Sequence, residues 1–283
     1  MLRDGAIATW SEVVPSLEDL HESARKSIFS SFTSFPYCVL SPPFASNYGR
    51  SKSTYLCLGD GKIGVVRAEG RNPQPVFVSL SEIDELEIGT ELLSSWITIH
   101  FHGQRMSVFF NSVNKPLYAR FIDAYQTARE TNNNSDSKST QKDIDVYFTT
   151  MRKEDFKYDT YPRLVLGNRL PSAFFYHPTT GLARSIFGAR VISSYLLITA
   201  GGLLFSFSEG RIIRYARSVN YSMVIRYIPI DETLLRNQVD INDEYSLQSF
   251  NRLKWSLFEI PIGTTESEKF LAFCQGSSIP LSN

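Results

Sequence analysis

The segment of this chain with the clearest binding chemistry is a run of arginines near residue 215. No acidic residue lies between Arg211 and Arg226, and the basic side chains are interleaved with tyrosines. Guanidinium groups offer paired N–H donors that match phosphate oxygens, so the run could bind an anionic lipid headgroup or a phosphate ligand. A solvated loop and a protein-facing patch are the alternative interpretations. The candidate anion- or partner-binding residues are Arg71, Arg211, Arg214 and Arg217.

Two histidines, His100 and His102, form a second group that could do chemistry. Residues two apart on a strand share one face, so the two imidazoles could contact one metal ion. A protein metal site needs further ligands, and the local sequence shows no cysteine or acid in the right place. We therefore interpret the pair as an exposed strand face beside a turn and predict no metal site.

Residues 59–64 (GDGKIG) match the dinucleotide-binding pattern G-x-G-x-x-G. That pattern works when its last glycines open a helix whose N-terminus holds a pyrophosphate. Here Val65 and Val66 follow, and β-branched residues favour a strand. An Asp-Gly pair between two β-rich runs is typical of a hairpin turn, so we predict a hairpin and no cofactor.

The acidic run at residues 82–91 could include a catalytic pair of carboxylates. Because the segment alternates like a strand, we interpret the run as a solvated acidic face. The chain contains no nucleophile elbow, phosphate-binding loop or paired-cysteine motif. We therefore predict that the protein is not an enzyme and assign no catalytic residue, with an enzyme of unrecognised type as an alternative. The acids are Glu82, Asp84, Glu85, Glu87 and Glu91.

Composition sets the broad class of the chain. Its 283 residues are 42% hydrophobic and 20% charged, which is typical of a soluble globular protein long enough for two domains. The net charge is zero, whereas nucleic-acid-binding proteins usually carry a clear positive excess. No apolar run reaches the roughly 20 residues that span a bilayer. Three scattered cysteines indicate a reducing compartment and no disulfide framework, so we expect a cytoplasmic protein.

The N-terminal half of the chain predicts a helix, several antiparallel strands and a second helix. Apolar residues recur at helical spacing after Ser16, a good capping residue, which predicts a helix at Ser16–Phe32. Residues 35–43 read as extended, and a second amphipathic pattern predicts a closing helix at Lys115–Arg129. The predicted strands are 55–58, 63–67, 75–80, 86–88, 96–102 and 106–110, and the predicted apolar face of the second helix is Leu117, Phe121, Ala124, Tyr125 and Ala128.

The C-terminal half begins with the segment 131–142, which contains no apolar residue and is predicted to be a flexible linker. A short helix at Asp143–Met151 and an irregular stretch rich in aromatic residues are predicted to follow. Residues 233–254 read as an insertion, and Glu266–Cys274 reads as a short closing helix. The predicted strands are 194–198, 203–208, 223–230 and 255–261, the first two joined by Ala200-Gly201-Gly202.

The two halves share a pattern at an offset of 140 residues. Residues 50–71 and 190–211 are identical at eight of 22 positions, including a Tyr-Leu pair and a glycine. These positions fall on predicted strand starts, turns and strand ends, so the pattern predicts one scaffold used twice. The pairs that could be functional duplicates, or members of internal salt bridges, are Glu69/Glu209 and Arg71/Arg211.

The order of strands first and helix last resembles a pleckstrin-homology-like (PH-like) domain of the bacterial or GRAM-like kind. Residues 76–89 (VFVSLSEIDELEIG) resemble the strand of those domains with a polar-Ile-x-x-Ile/Leu pattern. Residues 109–125 (FFNSVNKPLYARFIDAY) resemble their last strand and closing helix. The chain is similar to bacterial proteins with two such domains, over residues 54–129 and more weakly over 194–275. The resemblance implies a binding or scaffolding role rather than chemistry.

We therefore expect a mainly β protein with two tandem PH-like barrels or sandwiches, each closed by a C-terminal helix. The expected domains are a lead-in at 1–50, a first PH-like domain at 51–130, a linker at 131–142 and a second PH-like domain at 143–283.

The expected function is the binding of a protein partner, or self-association, by addition of a strand to a sheet edge. Peripheral binding of anionic lipid through Arg211, Arg214 and Arg217 is the alternative. The acidic run and the arginine run could also attract each other, within one chain or between chains.

Overall fold

A computed structural model shows two compact units, Met1–Arg129 and Glu130–Asn283, which we call unit 1 and unit 2. In unit 1 it describes residues 10–43, 45–46, 49–50, 52–68, 75–91 and 93–129. In unit 2 it describes residues 149, 165–166, 171, 173–178, 182–185, 188–200, 202–214, 218–229, 240–242, 250–254, 259–263 and 273.

The predicted N-terminal helix is divided into two pieces. Residues Leu17–Asp19 form a 3-10 turn, and the α-helix α1 begins only at Glu22 and ends at Ser31. The Ser16 hydroxyl donates to the Asp19 carboxylate at 2.7 Å and does not cap a backbone N–H. Leu20 is then extended, which ends the first piece.

Five strands of unit 1 form an antiparallel sheet in the order β1-β2-β5-β6-β7, which we call the first sheet. The predicted hairpin at residues 59–64 is confirmed, because Gly59 pairs with Lys62 around the turn Asp60-Gly61. Both turn residues have positive φ, 49° and 69°, as a two-residue hairpin turn requires. The bounds are β1 Glu12–Val14, β2 Tyr37–Ser41, β5 Thr54–Gly59, β6 Lys62–Arg67 and β7 Val76–Ser79, with a short pair β3 Ala45–Ser46 and β4 Gly49–Arg50 between β2 and β5.

The first sheet is buried on both faces, which explains the continuous apolar run Tyr55-Leu56-Cys57, all fully buried. One face packs with α1 in a core cluster that includes Ala24, Ile28 and Val66. The Tyr55 hydroxyl also accepts a hydrogen bond from the backbone N–H of His21, the residue that precedes α1. Tyr55 therefore anchors the start of α1 to the sheet.

The second sheet of unit 1 contains the antiparallel strands β10-β9-β8. The predicted hairpin around Gly103 is confirmed, with Phe101 paired to Gln104 across the turn His102-Gly103. One face is apolar, with Leu86, Ile97 and Ile99 buried, whereas the other face is polar. The bounds are β8 Glu85–Glu91, β9 Ser94–Phe101 and β10 Gln104–Asn111, with 3-10 turns at Leu80–Glu82 and Ser112–Asn114.

Helix α2 has the predicted bounds, Lys115–Arg129. Its buried residues are Tyr118, Phe121, Tyr125 and Gln126, so the predicted apolar face was wrong at Ala128, which is exposed. The large aromatic rings decide the orientation: Tyr118 stacks on Phe110 of β10 at 3.7 Å between ring centroids. Phe121 packs against Tyr37 of β2, so α2 contacts both sheets.

The Tyr118 hydroxyl also lies 2.9 Å from the Ser11 hydroxyl, and this buried hydrogen bond joins two residues that are 107 positions apart.

Unit 2 contains an antiparallel sheet in the order β15-β14-β13-β11, with β12 also paired to β13. The predicted hairpin at residues 194–208 is confirmed, since Ala200 pairs with Leu203. The stretch predicted to be irregular contains two strands, and the predicted insertion at 233–254 contributes two strands of a separate antiparallel sheet. The bounds are β11 Ala173–Pro178, β12 Leu182–Ser185, β13 Gly188–Ala200, β14 Leu203–Arg214, β15 Ser218–Pro229, β16 Asp240–Asn242, β17 Phe250–Lys254 and β18 Glu259–Gly263.

The chain is therefore mainly β, with antiparallel sheets and few helices. The described strands of unit 1 form two sheets and the short β3–β4 pair, and no ladder joins them into a closed barrel, so the barrel form of the expectation is wrong. Apart from residues 149 and 273, the predicted helices at 143–151 and 266–274 lie outside the described residues, as does the linker 131–142. The finer domain boundaries stay predictions.

Candidate functional site

Two of the four candidate arginines lie in a described strand. Arg211 pairs with Tyr221, and Arg214 pairs with Ser218, so both belong to the β14–β15 ladder rather than to a connecting loop. Arg71 and Arg217 lie outside the described residues. Anion binding by this group therefore stays a prediction.

The two histidines of the predicted pair do not share a strand face. His100 belongs to β9, whereas His102 is the first residue of the turn, with a φ of 46°. The His102 Nε2 atom lies 3.8 Å from Glu82 Oε1, and both side chains are exposed. The expectation of one shared face was wrong because the strand ends at Phe101, one residue before His102.

The predicted solvated acidic face is correct for Glu82 and Asp84, which are exposed, but wrong for the two ends of β8. Glu85 and Glu91 on β8 are only 2% and 4% exposed. Glu82 lies in the 3-10 turn that precedes β8, where its Oε2 accepts the backbone N–H of Ser79 in a capping box. Three carboxylates of this segment are therefore buried or hydrogen-bonded to the backbone.

Glu85, Glu87 and His100 converge on the polar face of the second sheet. Glu85 and Glu87 are two residues apart on β8, and His100 is directly opposite Glu85 on β9. One potential ligand atom from each residue lies within 4.8 Å of the other two. Trp96 Nε1 donates to Glu87 Oε1 at 2.8 Å and so fixes that carboxylate.

This donor set of two carboxylates and one imidazole is of the kind that binds divalent transition ions such as Zn²⁺ or Mn²⁺. Acidic groups also cluster in proteins that hold no ion, so donor geometry alone does not assign a metal here. The local sequence did not predict this cluster, because the carboxylates and the imidazole are on different strands. The register of β8 against β9 is the signal that would have revealed it.

The outer edge of β10 is a surface on which another chain could add a strand. Among the described residues, β10 pairs only with β9, and it lies at the end of the strand order. The backbone oxygen of Phe109 points away from β9, because it accepts a hydrogen bond from the Ser41 hydroxyl. In an antiparallel pair the outward groups alternate, so the backbone groups of residues 105 and 107 also point outward. Gln104, Arg105 and Ser107 are exposed.

An apolar hollow of about 140 Å³ lies beside the end of α1, where its lining includes Phe32, Phe35 and Pro36. The neighbouring Phe29 is 70% exposed. Ligand pockets usually measure about 300–1,000 Å³. The hollow is therefore sized for a side chain rather than for a cofactor.

The described fold and sites define a mainly antiparallel β protein of two units with an exposed strand edge. Within its described residues, no helix combines the length and the apolar character needed to cross a membrane. Neither the protein-family models nor the curated proteins compared with the chain give a match.

Proposed function

We propose that this chain is a non-enzymatic, cytoplasmic interaction module that binds a protein partner, and that its two units are PH-like domains of the GRAM-like kind. The element order of unit 1 supports the second statement, since antiparallel strands in two sheets are followed by the C-terminal helix α2. The packing of Tyr118 on Phe110 and of Phe121 on Tyr37 places that helix against both sheets, as the resemblance implies.

The outer edge of β10 carries the binding proposal. Half of this eight-residue strand, Gln104–Ser107, is not bonded on its outer side to any other described strand. Unpaired N–H and C=O groups on a sheet edge are a template for another extended segment. The other half is covered near Phe109 by Ser41, which limits the open edge to a short stretch.

The partner would bind as an extended peptide that adds an antiparallel or parallel strand to β10. The outward backbone groups of Arg105 and Ser107 would supply the hydrogen bonds. The exposed side chain of Gln104 lies beside this edge and would add selectivity for polar residues.

A random-peptide display selection on the immobilised full-length chain tests this proposal. Selected peptides should bind wild type and Arg105→Ala with similar affinity, because alanine keeps the outward N–H. Arg105→Pro removes that N–H without removing a bond to β9, and proline is tolerated at an edge of this kind. We expect it to weaken binding by about tenfold, the value of roughly one backbone hydrogen bond.

Two outcomes would contradict the proposal. One is the failure to select any peptide, and the other is equal binding of selected peptides to wild type and Arg105→Pro. Thermal unfolding shows whether the proline variant is folded. Ser107→Pro removes the next outward N–H and provides a second variant if Arg105→Pro is unstable.

A further inference from the structure

Two cysteines of the first sheet face each other across neighbouring strands. Cys38 on β2 is the direct register partner of Cys57 on β5, and both side chains are fully buried. Their sulfur atoms are 3.2 Å apart, and both are free thiols. The sequence did not predict this contact between the two cysteines, because they are 19 positions apart and meet only through the alignment of β2 with β5.

The backbone geometry at this pair suits a covalent link. Gly59 and Lys62 flank a two-residue turn and form a hydrogen-bonded pair, so alternation also makes Cys57 and Gly64 a hydrogen-bonded pair. The backbone groups of Cys57 therefore point toward β6, which makes Cys38 and Cys57 a non-hydrogen-bonded pair. In such pairs the Cα atoms are about 4.5 Å apart, within the range of about 4.4–6.8 Å seen in disulfides.

We propose that Cys38 and Cys57 are a redox modification site that closes into a cross-strand disulfide when the chain meets a disulfide oxidant such as oxidised glutathione. In the first step one cysteine thiolate attacks oxidised glutathione, forms a mixed disulfide and releases one glutathione thiolate. The second cysteine then attacks the protein sulfur of that mixed disulfide and releases the second glutathione. Two protein thiols are oxidised by two electrons, and one oxidised glutathione is reduced to two glutathiones.

The surroundings of the pair control when this exchange can occur. Both sulfurs lie in the core cluster beneath α1, together with Ala24 and Ile28. The hydrogen bond with Cys38 and burial raise the pKa of the Cys57 thiol, so little reactive thiolate forms in the folded state. Exchange therefore proceeds when β2 or α1 separates from the sheet, during folding or local opening. In a reducing compartment the pair remains as two thiols.

Refolding of the full chain in glutathione buffers tests the proposal without depending on access to the folded core. The variant Cys274→Ser leaves Cys38 and Cys57 as the remaining thiols. After refolding at excess oxidised glutathione, we expect an intact mass lower by two hydrogen atoms, no alkylation under denaturing conditions, and a linked peptide pair containing both residues. In excess reduced glutathione, the same protein should take up two alkyl groups.

The matched control is Cys38→Ala in the same background, which should retain one thiol or one glutathione adduct. The oxidised parent should unfold at a higher temperature than its reduced form, because the link restricts the unfolded chain, and the control should show no such increase. Cys57→Ser serves if Cys38→Ala does not fold. Native-like protein that keeps two alkylatable thiols, or carries two glutathione adducts, at excess oxidised glutathione would overturn the proposal.

Discussion

The hairpin β5–β6 of unit 1 and the hairpin β13–β14 of unit 2 share sequence but differ in register. Gly59 pairs with Lys62 in the first hairpin, and Ala200 pairs with Leu203 in the second. The two ladders therefore correspond at an offset of 141 residues, one more than the offset of the sequence identities. Because strand faces alternate, a shift of one residue exchanges the two faces of the sheet.

Burial follows the structural offset. The fully buried run Tyr55-Leu56-Cys57 corresponds to Leu196-Leu197-Ile198, which is also fully buried, and half-buried Leu58 corresponds to half-buried Thr199. Gly61 is the second turn residue of its hairpin and has a φ of 69°, and the residue that corresponds to it at the offset of 141 is Gly202, with a φ of 78°, rather than the identical residue of the sequence match. The expectation that identical residues occupy equivalent places was therefore wrong at these positions.

The two hairpins also differ in how they provide an aromatic ring at one equivalent position. Gly64 lies opposite Cys57, and the ring of Phe77 from β7 lies so close that an added Cβ would come within 2.6 Å of it. The corresponding residue of unit 2 is Phe205, whose ring meets Tyr227 of β15 edge to face at 5.6 Å. In unit 1 the Phe77 ring packs against Gly64, whereas at the equivalent place in unit 2 the rings of Phe205 and Tyr227 pack against each other.

The largest expected effect is that of Phe205→Ala in unit 2. The side chain is fully buried and contacts Tyr227, so its removal should cost about 3–5 kcal/mol of the unfolding free energy of that unit. Denaturant unfolding followed by hydrogen exchange of the β13–β15 peptides measures this loss. A cost below 1 kcal/mol would mean that the ring is not the core element that its burial indicates.

Ile198→Ala and Leu58→Ala distinguish the two offsets directly. At the offset of 140 the two residues correspond, and their truncation should cost similar amounts. At the offset of 141 they do not correspond. Truncation of fully buried Ile198 should then lower the free energy of unfolding by about 2–5 kcal/mol, whereas truncation of half-buried Leu58 should lower it clearly less. Equal losses of stability in the two units would support the sequence offset instead.

Gly64→Ala should destabilise unit 1 by about 1–3 kcal/mol, because the new methyl group overlaps the ring of Phe77. The same substitution in a Phe77→Leu background should cost less, since the clash is removed. A double-mutant cycle on thermal or denaturant unfolding measures this coupling. Additive effects of the two substitutions would exclude the proposed overlap.

Gly61→Ala and Gly202→Ala should each cost about 1–2 kcal/mol, because both residues have positive φ, 69° and 78°. Nothing lies within 4 Å of an added Cβ at Gly61, so its cost is one of backbone conformation alone. Replacement of Gly61 by asparagine, which tolerates positive φ better, is the matched control in a stability measurement. An alanine variant as stable as wild type would contradict the turn geometry.

The smallest effect concerns pH. Hydrogen bonds from the Thr33 backbone N–H and hydroxyl lower the pKa of Asp60, and the second hairpin has a glycine at the corresponding position. A lowered folded-state pKa stabilises the protein above the ordinary aspartate pKa, and this contribution disappears as the pH falls through the folded-state value. The stability difference between wild type and Asp60→Asn should therefore shrink in acid. A constant difference across that range would refute the coupling.

Local chemistry was enough to predict the elements whose signals lie within a few residues. The Asp60-Gly61 pair correctly predicted one hairpin, and the amphipathic pattern correctly predicted both ends of α2. Features that depend on strand alignment were not predictable in this way. These include the Cys38–Cys57 contact and the convergence of Glu85 with His100, because each joins residues whose proximity only register creates.

The hydrogen bond between Ser11 and Tyr118 can form only late in the synthesis of unit 1. Ribosomes add roughly 5–20 residues per second. Because the two residues are 107 positions apart, Tyr118 is added to the chain about 5–20 seconds after Ser11. Strand β1 can pair with β2 much earlier, but the buried hydroxyl of Ser11 acquires this bond only once the chain has been translated into α2. The residue that precedes the first described strand of unit 1 thus obtains its hydrogen-bond partner only from helix α2.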